Sequence, residues 1–134
     1  MSTSTVKYLG GLRTESTHLQ SGATILTDAP TDNHGRGESF SPTDMVANSL
    51  ATCMLTVMGI KAESLNIDFT GATAEVTKIM GTEPRRIVGI KVVLNMGIKV
   101  DEKSQVILER TANTCPVHNS LHPNIQKEII FNWL

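Results

Sequence analysis

Charge is scarce in this sequence and almost balanced. Lys and Arg number 12 against 13 Asp and Glu, leaving a formal net charge of −1 over 134 residues. That balance offers no broad attraction to nucleic acid or to an anionic lipid surface, so neither is expected as a partner. Cysteine is scarcer still: Cys53 and Cys115 are the only two, and there is no Cys-x-x-Cys. The opening MSTSTVKYLG lacks the apolar core of a signal peptide, and no apolar run reads as long enough to span a bilayer. The expectation is therefore a cytoplasmic protein with a single domain over residues 1–134 and no membrane partner. A reducing compartment keeps thiols free, so two distant cysteines are a poor structural framework there. They are inert buried thiols, a redox pair or metal ligands.

Against this sparse background one stretch stands out, Ser41 to Leu65 (SPTDMVANSLATCMLTVMGIKAESL). Ser41 suits an N-cap, Pro42 the first helical position, and Asp44 the place of a capping-box carboxylate. Behind them Met45, Val46, Leu50, Met54, Leu55, Val57, Met58 and Ile60 spread apolar surface around most of the helix. A helix of that kind must be wrapped by other elements. It carries Cys53 near its middle and is expected to end near Ser64.

The remaining segments read as strands and short helices. Val6–Leu19 reads as one strand bent at Gly10-Gly11, and Ala23–Thr27 as its hairpin partner after Gln20-Ser21-Gly22. Asp28 to Phe40 is a loop rich in Gly, Asn and Pro. Ile67–Met80 alternates in polarity and reads as a strand kinked at Gly71, followed by a turn at 81–84 and a strand over Arg86–Ile98. Asp101 caps a helix to Thr111, Cys115-Pro116 opens a helix to Leu121, and Ile125–Leu134 is a last strand. The order β-β-α-β-β-α-α-β predicts an α+β fold, with antiparallel strands around a long buried central helix.

The two thiols differ in local physics. Cys115 precedes Pro116 at a helix start, where the dipole and unpaired N–H groups favour a thiolate. Cys53 lies mid-helix among apolar neighbours, which raises a thiol pKa unless a cation reaches it. On these grounds Cys115 is the better activated thiol. Cys115, His118 and His122 share the spacing i, i+3, i+7, which would align them on one helical face and invites a metal reading with Cys53 as fourth ligand. Pro123 after His122 works against that geometry, and no metal or cofactor is expected. A Cys-His-Asp hydrolase is possible on residue types alone, but nothing orients a histidine toward Cys53. The methionines are core filler or, together, the lining of an apolar pocket.

Three segments, SGATILTDAP (21–30), SFSPTDMVANSLATC (39–53) and CPVHNSL (115–121), together with Gly10-Gly11-Leu12-Arg13, carry a family resemblance. The chain resembles the OsmC/Ohr family of thiol-dependent hydroperoxide reductases over nearly its whole length. It is most similar to the broad OsmC-like subgroup whose helix opens Ser-Pro-Thr-acid. The resemblance implies an intertwined homodimer with two equivalent sites at the subunit interface. It implies that Cys53 is the thiol that attacks an organic hydroperoxide and becomes a sulfenic acid. Cys115 then closes a Cys53–Cys115 disulfide, which an external dithiol reduces. Arg13 matches the arginine that holds the attacking thiol as a thiolate. In the better-known branches a glutamate directly after the proline orients that arginine. Here Thr43 takes its place and the acid follows at Asp44, about 100° further round the helix. Asp44 is the first candidate to replace it, with a competing role as helix cap, and Glu38 in the preceding loop is the second.

Two functions compete on this reading. The first is a Cys53/Cys115 peroxidase acting on organic hydroperoxides. The second is an OsmC-like dimer that binds a small apolar ligand with little or no peroxidase activity, which the departure at Thr43 motivates.

Overall fold

A computed structural model describes all of residues 1–134. They form two compact units, Met1–Met45 and Val46–Leu134. In the first, β1 (Ser4–Gly10), β2 (Arg13–His18) and β3 (Thr24–Asp28) make an antiparallel meander. The stretch Val6–Leu19 is therefore two strands and not one bent strand. Gly10, Gly11 and Leu12 have φ of 82°, 61° and 64°, and three successive left-handed residues reverse the chain where a bulge alone would only bend it. The turn between β2 and β3, closed by bonds from the His18 N–H to the Ala23 carbonyl and from the Gly22 N–H to the His18 carbonyl, sets Arg13 opposite Asp28.

In the second unit β4 (Thr73–Gly81), β5 (Arg86–Asn95) and β6 (Gln126–Asn132) form another three-stranded sheet. β4 pairs antiparallel with β5, but β6 runs parallel to it, which corrects the all-antiparallel expectation. The helices α2 (Glu102–Ala112) and α3 (Pro116–Ser120) lie in the connection between β5 and β6. That connection is the long crossover a parallel pair requires. Residues 67–72 do not extend β4; Asp68 instead accepts hydrogen bonds from the Thr70 N–H and hydroxyl, which makes a local turn.

The long helix α1 spans Pro42–Ser64, as its start signals predict. Its buried residues, Ala47, Leu50, Ala51, Met54, Met58 and Ala62, follow helical spacing along one face. They share a core with Ile90, Val92 and Leu94 of β5 and Leu108 of α2. Met54, Met58 and Met96 are fully packed there as filler. The other face is not wrapped within one chain: Ile60 is 68% and Val46 40% exposed. Thr52 and Thr56 on that side return their hydroxyls to the carbonyls of Ser49 and Thr52. By length and composition alone α1 could cross a bilayer, contrary to the reading of the sequence, although its buried face belongs to the core just described.

Candidate active site

Both thiols are free and lie in the second unit. Cys53 projects half-buried from the middle of α1. Cys115 is the N-cap of α3, has no exposed surface, and accepts a hydrogen bond at Sγ from the His118 N–H at 3.3 Å. The two thiols are near enough to act on each other's protons. Burial pushes the Cys115 thiol up, and the neighbouring Cys53 adds to it, while the His118 and Val117 N–H groups pull the other way. Burial prevails, so the expectation that the helix start makes Cys115 the better thiolate is corrected. The cap geometry is as expected; a helix of five residues supplies too little dipole to offset full desolvation.

His118 is half-buried, and its imidazole is held below the ordinary histidine value by burial and by the Lys127 ammonium. His122 lies beyond the end of α3, where its Nδ1 accepts the Asn124 N–H at 3.0 Å. Cys115, His118 and His122 therefore do not share one helical face. No group of three His, Cys, Asp or Glu side chains is arranged to hold a metal ion.

In the first unit Arg13 stands at the start of β2 with its side chain 34% exposed. It donates to Glu38 Oε2 at 2.6 Å and lies 3.5 Å from Asp28 Oδ2. Glu38 in turn donates its backbone N–H to Asp28 Oδ2 at 3.1 Å. A buried carboxylate thus ties together an arginine and the loop that carries its other partner. Asp28 escaped notice in the sequence because it ends a strand of ordinary composition. Its signal is the β2–β3 register, which, counted back from the turn, places a cation and an anion opposite each other.

Asp44 closes a capping box. Its N–H donates to Ser41 Oγ at 3.0 Å, and its Oδ2 accepts the Ser41 N–H at 3.0 Å. Ser41 Oγ also lies 3.2 Å from the Thr43 hydroxyl. The carboxylate at hydrogen-bond distance from Arg13 is that of Glu38.

The family model for OsmC-like proteins matches residues 35–129, a span that includes α1 and both thiols. This chain belongs to the OsmC-like family. The crystal structure of a Psychrobacter arcticus 273-4 protein, provisionally described as an osmotic stress induced and detoxification response protein, is 52% identical to it. That comparison covers 98% of this OsmC-like chain and 96% of the other, with a TM-score of 0.96. An organic hydroperoxide resistance protein OsmC from Legionella pneumophila shares the fold at 15% identity and TM-score 0.75, covering 98% of both chains. An organic hydroperoxide resistance protein from Elizabethkingia anophelis does so at 15% identity and TM-score 0.76, over 100% of this chain and 98% of that one. No curated protein matches the chain.

Proposed function

We propose that this OsmC-like protein is a cysteine-dependent peroxidase that reduces organic hydroperoxides. The observation that carries the reading is the pairing of a half-buried thiol on α1 with a buried thiol near enough to perturb it. A thiolate at Cys53 attacks the terminal oxygen of the hydroperoxide, the O–O bond breaks, and an alcohol leaves. The sulfenic acid then condenses with Cys115, releasing water and forming the Cys53–Cys115 disulfide, and an external dithiol restores both thiols. Arg13 supplies the cation that favours the Cys53 thiolate, and Glu38, with Asp28 behind it, orients that guanidinium in place of the glutamate absent at Thr43. Asp44 serves the helix start.

The active form in this proposal is a cytoplasmic homodimer with residues 1–134 acting as one domain. The uncovered face of α1 and the exposed apolar side chains of the meander, Val6, Tyr8 and Ile25 among them, supply the surface that a second copy would bury. The reaction is tested with cumene hydroperoxide and several dithiols. The wild type consumes the peroxide and Cys53→Ser does not; a wild type inert with every dithiol contradicts the proposal.

An open groove of about 750 Å³ beside α1, lined by Leu55, Gly59, Ile60, Ile67 and Phe69, is the observation that favours the ligand-binding alternative. It is not the methionine-lined pocket the sequence suggested. A small apolar molecule that copurifies with the protein, together with thiols inert to alkylation, would favour that alternative.

A further inference from the structure

The two partners of the disulfide are not equivalent toward an incoming thiol. Cys115 is fully buried, whereas Cys53 is only half-buried. Exchange at a disulfide requires in-line approach to one sulfur, with the other departing along the opposite direction. At Cys115 the approach is closed by the core that packs around it and by the first turn of α3. Cys53 is only half-buried in the single chain, and in the proposed dimer the hydroperoxide must still reach its sulfur, so a path to it remains.

We propose that reduction proceeds by attack on the sulfur of Cys53, so that the obligatory intermediate is a mixed disulfide between the reductant and Cys53. The polarity rests on the peroxidase reading for access to Cys53 in the dimer, while the exchange chemistry belongs to any Cys53–Cys115 disulfide. The reductant thiolate forms a bond to Cys53 Sγ, the Cys53–Cys115 bond breaks, and its electron pair leaves on Cys115 Sγ. The His118 N–H, which already points at that sulfur, stabilises the departing thiolate until it takes a proton. The second thiol of the dithiol then attacks the reductant sulfur of the mixed disulfide. A cyclic disulfide departs and Cys53 is released, two electrons having passed from reductant to protein.

Leaving-group basicity acts against this order. Burial holds the Cys115 thiol above its ordinary value, and a more basic thiol leaves more slowly. Access decides the matter. A sulfur with no accessible surface admits no attack until the structure around it opens.

The test uses the full-length protein oxidised with diamide, which makes the disulfide without any peroxidase step. The oxidised protein is treated with about one equivalent of 2-mercaptoethanol and quenched early with iodoacetamide, before a second thiol molecule reduces the mixed disulfide. Peptide mapping is expected to find the mercaptoethanol adduct on Cys53 and the alkyl group on Cys115, in excess over the reverse pattern by about tenfold or more. In parallel, Cys115→Ala and Cys53→Ala are compared for reaction with an aromatic disulfide. The thiol left in Cys115→Ala should react faster by a similar factor. An adduct mainly on Cys115, an even distribution, or no disulfide after diamide overturns the proposal. A second arm replaces diamide with cumene hydroperoxide. Failure to form the disulfide in that arm alone counts against the peroxidase and leaves the exchange polarity standing.

Discussion

Cys115 begins a helix and is also buried, and these two facts pull its proton in opposite directions. Desolvation prevails, so the folded chain holds this proton more tightly than the unfolded chain. A thiol raised on folding stabilises the native state below its unfolded pKa, and that contribution is lost as pH rises through the folded value. Denaturation midpoints of the reduced protein should therefore fall as pH rises beyond about 8.5, the ordinary thiol value, and Cys115→Ala should flatten the fall. A slope unchanged by that substitution would assign it to other groups. The first unit offers a second contrast between residues. Glu38→Gln should slow alkylation of Cys53 near neutral pH and lower peroxidase turnover, and Glu38→Asp should restore part of both. Ser41→Ala should leave the alkylation rate close to that of the wild type but cost about 1 kcal/mol of stability through loss of the cap. The two effects are separated by measuring iodoacetamide kinetics and urea denaturation on the same variants.

Among the elements, α1 was the most legible from sequence. Ser41, Pro42 and Asp44 mark its start, and Pro42–Ser64 is the helix observed. Asp101 was likewise readable as the cap of α2, and its carboxylate accepts the Ser104 N–H at 3.1 Å. The parallel pairing of β6 was not readable, because a seven-residue strand of mixed polarity does not encode the direction of its neighbour. The Gly10–Leu12 reversal was hidden for a different reason. Two glycines in a run of Thr and Ser fit a bulge and a turn equally well, and Leu12 at φ 64° is a conformation that sequence rarely announces. Asp28 was missed for another reason, since its place opposite Arg13 appears only when the β2–β3 pairing is counted residue by residue back from the turn that joins them. The energetic centre of α1 is its inner face. Leu50→Ala and Met58→Ala, both at fully buried positions, should each cost about 2–5 kcal/mol in denaturant unfolding.

For the whole molecule, the low charge and the wide apolar surface of α1 have one common consequence. Within a single chain only one face of this helix is covered, and Ile60 and Val46 remain exposed opposite it. The proposed homodimer would cover that face. Sedimentation of the wild type should report a dimer, while Ile60→Arg should shift the equilibrium toward monomer and lower peroxidase turnover with it. A wild type that stays monomeric at high concentration would remove the dimer from the account and leave the thiol pair intact. The Cys53–Cys115 chemistry itself is tested most directly by adding one equivalent of cumene hydroperoxide to the reduced protein and measuring its intact and peptide masses without reductant. The prediction is a chain lighter by two hydrogens, with the Cys53 and Cys115 peptides joined. Two free, alkylatable thiols after the peroxide has been added would contradict it.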